Sequence, residues 1–168
     1  MAFSGRALLQ LAAELTNPLD LSTPTSNLSV SRQISLSEGV GLNQANKIWH
    51  DQRTLAASAA EDLDLAGILT DPWGATITFA RVKLLFVAAA AGNTNNVVLG
   101  NQATNGWVGP FGANSHSLSV RPGGFVCLAA PDATGYAVVA GTGDLLRAAN
   151  SGAGSSVTYD IVVIGGAT

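Results

Sequence analysis

Short segments in which apolar and polar residues alternate, separated by clusters of glycine, proline and asparagine, constrain this sequence more than any other feature. The clearest segment covers residues 28–36, where Arg32 interrupts the apolar side. The apolar positions on that side are Leu28, Val30, Ile34 and Leu36. A period of two over nine positions is typical of a half-buried antiparallel strand.

Ten further segments have the same character. They are residues 47–49, 54–57, 61–65, 76–89, 96–99, 117–120, 125–129, 136–140, 144–149 and 156–164. The clusters between them, such as Pro122-Gly123-Gly124, supply the fixed and positive φ angles that tight turns require. Many short strands with regularly spaced turn signals favour an all-β fold. We predict an antiparallel β-sandwich of the jelly-roll type.

Two of these segments define the predicted core. In residues 76–89 the apolar positions change parity between Phe79 and Val82, which predicts a β-bulge near Ala80 and Arg81. Residues 156–164 are apolar on both sides, so we expect this strand between two partners, either another sheet or another subunit.

The N-terminal segment has a different period. Leu8, Leu11 and Leu15 follow helical spacing, Ser4 can act as the N-cap, and Asn17-Pro18 is a natural stop. The pattern predicts one amphipathic helix of about three turns, which is marginal unless it packs on something. It can pack on its own domain, dock on a neighbouring subunit or fray.

The polar residues 16–27, with two prolines, predict an extended arm between this helix and the body. We therefore divide the chain into residues 1–27, the helix and arm, and residues 28–168, the β-sandwich domain. If the N-terminal unit docks on another subunit, the contact residues are Leu8, Leu11, Leu15, Pro18, Leu19 and Leu21.

Charged residues are scarce. Asp, Glu, Lys and Arg make up 11% of the 168 residues, against roughly 25% in an average soluble domain. Either other subunits cover much of the surface, or Ser, Thr and Asn make it polar. A net charge of −3 with scattered basic residues argues against nucleic-acid binding. No apolar run approaches the ~20 residues of a membrane helix, and we interpret the N-terminal residues as retained rather than as a cleaved leader.

Candidate catalytic residues are few. His50 beside Asp51 and His116 beside Ser115 supply the residue types of a Ser-His-Asp arrangement, but no G-x-S-x-G motif marks a nucleophile. The glycine-rich turns lack the lysine of a phosphate loop. We therefore expect no enzymatic activity and no cofactor, with both histidines in solvent-facing loops or His50 at a subunit contact.

One acidic cluster stands out, in residues 61–71. Its members are Glu61, Asp62, Asp64 and Asp71. Strand alternation leaves at most two carboxylates close together, and calcium binding or glycoside hydrolysis needs further ligands or a groove. The cluster can be a solvated strand face, a metal site, or part of an inter-subunit salt bridge with Arg53, Arg81, Arg121 or Arg147. We expect no metal.

Two remaining residue types have alternative interpretations. Cys127, the single cysteine, lies among apolar residues and is expected to be buried and inert. Trp73, Trp107 and Phe111 lie in turn regions, where they can pack over the ends of the sandwich, lie between subunits, or stack on carbohydrate rings.

Two stretches of the chain, KIWHDQRTLAASAAEDLDLAGILTDPWGATITFARVK and VRPGGFVCLAAPDATGYAVVAGTGDLLRAANSGAGSSVTYDIVVIG, resemble small virion structural proteins of tailed double-stranded DNA bacteriophages. The resemblance covers about residues 46–166. It implies a non-enzymatic β-rich protein of the virion, assembled in the cytoplasm of the bacterial host. The role that the resemblance implies first is a capsid decoration or cement protein, which forms a homotrimer and binds the major capsid protein. It carries over no catalytic residue.

We therefore expect the β-sandwich to self-associate while the N-terminal unit binds a neighbouring shell subunit. The alternative is a receptor- or carbohydrate-binding module of a head fibre or tail, with Trp73, Trp107 and Phe111 as the stacking residues. A hydrolase that uses His50 or the acidic cluster is the third possibility.

Overall fold

The structure is a computed structural model that describes residues 2–167; residues 1 and 168, the outer ends of the two predicted domains, lie outside the described residues. Twelve strands and no helix form the regular structure of this range, so the all-β prediction is confirmed. The strands are β1 (Ser4–Thr16), β2 (Thr25–Glu38), β3 (Gln44–Ala45), β4 (Lys47–Leu55), β5 (Ala60–Asp64), β6 (Arg81–Ala89), β7 (Val97–Gly100), β8 (Ser117–Val120), β9 (Phe125–Ala129), β10 (Tyr136–Ala137), β11 (Leu145–Asn150) and β12 (Val157–Gly166).

The predicted N-terminal helix is wrong. Its residues form β1, which pairs antiparallel with β2 along all 13 residues of β1. The segment fits two periods, because Leu11 and Leu15 share a side in a strand as well as in a helix. A helix of this length is marginal on its own, whereas pairing with β2 satisfies the backbone groups along one whole edge of β1. A partner distant in sequence therefore decides the structure.

The predicted extended arm is also wrong. Residues 17–24 are the turn of a β-hairpin, closed by hydrogen bonds from the Asn17 N–H to the Pro24 carbonyl at 3.1 Å and from the Leu19 N–H to the Ser22 carbonyl at 2.8 Å. The predicted domain boundary at Leu28 falls inside β2, which continues to Glu38. The N-terminal unit is thus a long two-stranded ribbon, extended at its base by β3, which pairs parallel to β2.

Two antiparallel sheets form the body. In the larger sheet β12 lies between β4 and β6, and β6 pairs along its other edge with β9 and then β10. In the smaller sheet the order is β5, β11, β7, β8. The two sheets enclose one apolar core, in which Tyr159, Leu85, Leu99 and Leu146 are fully buried. Each such side chain contributes about 1.5–3 kcal/mol to folding by leaving water. Because two sheets enclose this core, a sandwich-like body is confirmed.

The β-bulge that the sequence predicted lies between β12 and β6. The smaller sheet covers one side of β12, as expected for a strand that is apolar on both sides. The bulge occurs at Lys83 rather than near Ala80, because Leu84 pairs with Ile164 and Val82 with Gly165. A Cβ at Gly165 would clash with the Arg81 carbonyl oxygen, so this position needs a glycine.

Candidate functional site

The hairpin β1–β2 has one apolar face and one polar face. In its register Leu11 lies opposite Val30 and Ala13 opposite Leu28, and side chains two residues apart project to the same side. The apolar face consists of Ala7, Leu9, Leu11, Ala13, Leu15, Leu28, Val30, Ile34 and Leu36, with Arg32 as its charged member. Serine, asparagine and glutamine dominate the polar face.

The predicted docking residues divide between the two faces and the turn. Leu11 and Leu15 lie on the apolar face, whereas Leu8 lies opposite Gln33 on the polar face. The helical interpretation placed Leu8 with Leu11 and Leu15, and the strand separates them because its period is two. The remaining three, Pro18, Leu19 and Leu21, belong to the turn.

The base of the hairpin is fixed to the body. Leu36 is only 5% exposed, and two cations of β6 hold the segment that follows β2. Arg81 Nη1 donates to the Val40 carbonyl at 3.1 Å. Lys83 Nζ donates to the Gly41 carbonyl at 3.3 Å and to a second carbonyl in the loop after β9. Lys83 is 1% exposed, and this burial lowers its pKa from the ordinary value.

A groove of about 560 Å³ lies between the hairpin base and the outer side of the larger sheet. Leu9, Arg6 and Arg32 are among its hairpin residues. The sheet side is formed by Leu84, Phe86, Phe125, Cys127, Val162 and Ile164. A sandwich sheet normally presents polar residues outward, so this apolar outer side marks a surface for contact.

The sequence contained a signal for this groove, which predicted a partner on the second side of β12 but not the groove itself. Val162 and Ile164 are the second apolar side of β12, and Phe86 lies opposite Val162 in the neighbouring strand. Phe86 and Phe125 bring their ring centroids to 5.9 Å. The side chains of three strands therefore form one surface, which becomes visible once the register is known.

Beyond the groove, the apolar face of the hairpin is open to solvent. Leu11 is 51% exposed, Leu28 54% and Leu15 74%. In the turn, Leu21 is fully exposed. β1 pairs only with β2 in the described part of the chain, so its second edge is also unpaired. A contiguous apolar surface of this kind is typical of a protein contact site.

The aromatic residues do not form one stacking surface. Trp107 is 2% exposed, donates its Nε1–H to the Ala137 carbonyl at 2.9 Å, and meets the rings of Phe111 and Tyr136 edge to face. A ring so enclosed offers no face to a sugar, which corrects its proposed stacking role. Phe111, which packs against Trp107, is half-buried, whereas Trp73 is 75% exposed.

The acidic cluster forms ion pairs within the chain. Arg53 pairs with Glu61 and, at 3.1 Å, with Asp51. Tyr159 donates its hydroxyl to Glu61 at 2.8 Å, and burial first, then this bond, raises the pKa of Tyr159. The hydrogen bond to Glu61 is the main reason that the pKa of Arg53 is raised. Two of the four candidate arginines, Arg53 and Arg147, therefore pair with this cluster, but within the chain and not in the salt bridge between subunits that was one of the alternatives.

The other acidic residues of the cluster have local roles. Asp62 is the partner of Arg147 at 3.6 Å. Asp64 accepts from the Ala66 N–H at 2.8 Å, and Asp71 accepts from the N–H of Trp73 at 3.0 Å, as is usual for aspartates in turns. Over residues 2–167, no group of three or more histidine, cysteine or acidic side chains could hold a metal ion.

The histidines are not joined into a catalytic arrangement. His50 is exposed on the outer side of β4, opposite Val162, and Asp51 projects to the other side of the strand, where it pairs with Arg53. His116 Nδ1 lies 2.8 Å from the Phe111 carbonyl oxygen.

Cys127 is exposed, so the expectation of a buried thiol is wrong. It projects from β9 into the groove, opposite Phe86. Partial burial raises the pKa of the thiol.

In the part of the chain that the structure describes, no helix is long and apolar enough to cross a membrane. Comparisons of this chain with protein-family models, with curated proteins and with solved structures found no match.

Proposed function

We propose that this protein is a non-enzymatic assembly protein that docks on neighbouring subunits through its N-terminal hairpin. The observation that carries the proposal is the solvent-exposed apolar face of β1–β2, held out from a well-packed body. Fully burying a leucine is worth about 1.5–3 kcal/mol. Four leucines of this face are about half exposed or more, namely Leu9, Leu11, Leu15 and Leu28. Covering their exposed surface with a partner would contribute on the order of 3–6 kcal/mol to the binding free energy.

The particle we propose is a tailed bacteriophage virion, in which the protein decorates or cements the capsid by binding the major capsid protein. The sequence resemblance over residues 46–166 supports this setting. Many copies on one lattice would convert weak single contacts into firm attachment. The proposal includes self-association, with a homotrimer as the expected form, and involves neither nucleic acid nor membrane.

The proposal also includes a jelly-roll body, and the strand order supports it. Counting the eight main strands of the body in sequence as β4, β5, β6, β7, β8, β9, β11 and β12, the first pairs with the eighth, the second with the seventh, the third with the sixth and the fourth with the fifth. This nested pairing is what results from rolling up one long antiparallel ribbon. Jelly rolls are frequent in viral capsid and lectin domains, which is support by fold analogy alone.

Binding to shells tests the proposal. We expect wild-type protein to co-sediment with empty shells of the major capsid protein from the same phage, and Leu11→Thr/Leu28→Thr to lose binding while keeping the fold. Threonine suits a strand but removes the apolar surface. Ile68→Thr is the matched control, because Ile68 is 68% exposed and lies outside the hairpin. Equal binding by all three proteins would refute docking through the hairpin.

One observation favours a second candidate function, the binding of a glycan by a fibre or tail module. The exposed Trp73 borders a cleft of about 510 Å³ that also contains Asn46, Lys47 and Asp71. An exposed indole beside hydrogen-bonding groups suits a sugar ring. Binding on a glycan array that is abolished by Trp73→Ala would support this function, and no binding by the wild-type protein would exclude the array's sugars as ligands.

A further inference from the structure

We infer that the tip of the hairpin in one copy of this chain inserts into the groove of a second copy. The inference rests on the proposed function, since it names the partner for one part of the docking hairpin. The tip comprises residues 14–21, and the groove is the one between the hairpin base and the larger sheet.

The groove is apolar and carries two positive charges. Of the charged residues that the structure describes, Arg6 and Arg32 line it and no carboxylate does. Within residues 2–167 the arginines that form ion pairs are Arg53 and Arg147, both remote from this groove. Arg32 donates to the neighbouring Ser31 carbonyl at 3.1 Å. An apolar ligand that carries negative charge would therefore bury the apolar lining of the groove and pair with its two arginines.

The tip has the complementary composition. Leu15, Leu19 and Leu21 are exposed there, next to the carboxylates of Glu14 and Asp20. Residues 14–25 contain no lysine or arginine. The tip thus offers leucine side chains and two negative charges to a site that has apolar walls and two positive charges. Complementary charge of this kind fixes the orientation of a contact and excludes other partners.

The tip cannot reach the groove of its own chain. The hairpin residues that line the groove, such as Leu9, are on the same paired strand as Leu15. Six residues of strand separate these two positions by about 20 Å, and continuous pairing with β2 prevents the ribbon from folding back. Only a second molecule can supply a tip.

This contact joins two different surfaces. It can close as a reciprocal pair of chains, each with its tip in the other's groove, or as a ring, of which the expected trimer is one form. The apolar face between base and tip, with Leu11 and Leu28, stays free to bind the shell.

A charge exchange tests the inference. We expect Arg6→Glu/Arg32→Glu and Glu14→Arg/Asp20→Arg each to weaken self-association by roughly 100-fold, because like charges then meet at the contact. Mixing the two variants restores the opposite charges at every contact between unlike chains, so the mixture should recover association in native mass spectrometry. A reciprocal pair would appear as a one-to-one mixed dimer, and a ring of three as mixed trimers in which one like-charged contact remains. Arg121→Glu, an exposed arginine outside the groove, should associate like the wild type.

Cross-linking provides a readout that does not depend on these charges. The single native cysteine, Cys127, lies in the groove. With a short bismaleimide, Leu21→Cys should yield covalent dimers, and Ile68→Cys should yield none above the wild-type background. Circular dichroism of each variant confirms that it is folded.

The outcomes separate this inference from the proposed function. A wild-type protein that is monomeric up to millimolar concentration yet binds shells through the hairpin would overturn the inference and the expected homotrimer, and leave standing the proposed docking on the shell. A monomer that binds no shell would overturn both. A groove that holds a co-purified fatty acid or other acidic lipid, seen as added mass on a monomer, would also overturn the inference.

Discussion

Two leucines on the same face of the hairpin should respond very differently to truncation. Leu36, at the base, is 5% exposed, so Leu36→Ala should lower the free energy of unfolding by about 2–5 kcal/mol, the usual cost of emptying a buried leucine site. Leu15, near the tip, is 74% exposed. Only about a quarter of its possible 1.5–3 kcal/mol is realised in the single chain, so Leu15→Thr should cost less than about 1 kcal/mol.

The assay is urea denaturation, followed by fluorescence at a dilution where the protein is monomeric, because association would add its own stabilisation. Association of the same two variants is then measured at high concentration. We expect Leu15→Thr to unfold like the wild type but to associate less. If Leu15→Thr loses more than about 2 kcal/mol in the monomer, the distal hairpin packs on its own body and the interpretation of an open docking face is refuted.

Three further predictions concern the body and the hairpin base. Trp107→Ala should destabilise the protein by about 3–5 kcal/mol in denaturation, because a buried ring is lost, whereas Trp73→Ala should leave stability within about 0.5 kcal/mol. Lys83→Met should cost about 1–3 kcal/mol and speed amide exchange at residues 39–43, since the carbonyls of Gly41 and Asp132 lose a charged donor; unchanged exchange would contradict the anchoring role. The pKa of Asp132 is lowered to about 2, first by the hydrogen bond from the Thr134 hydroxyl. The carboxylate therefore orders its loop fully above about pH 4 and less as pH falls toward 2, which an NMR titration of the Asp132 side chain and the Gly135 amide can follow.

The body could be predicted from the sequence because its strands are marked locally. Alternation and turn residues placed the segments that became β5, β8 and β9 with the bounds observed or within one residue of them. The parity change before Val82 predicted a bulge, which the structure places at Lys83. These features depend on residues within a few positions of each other, which is what a period of two records.

The hairpin could not be predicted in the same way. Leu11 and Leu15 fit a helix and a strand equally well, and the pairing of β1 with β2 that decides between them involves contacts up to 33 residues apart, from Ser4 to Ser37. The same holds for the groove, whose walls come from the hairpin and three strands of the larger sheet. Such surfaces are set by register and packing, so no local window shows them.

The unpaired edge of β1 has a consequence for handling the protein. Its backbone groups can template another chain, because the strand lacks proline and Arg6 and Glu14 are its only charged residues. Isolated chains at high concentration should therefore associate edge to edge into insoluble filaments. A solubility tag on the body would not prevent this association, because it leaves the edge of β1 unpaired.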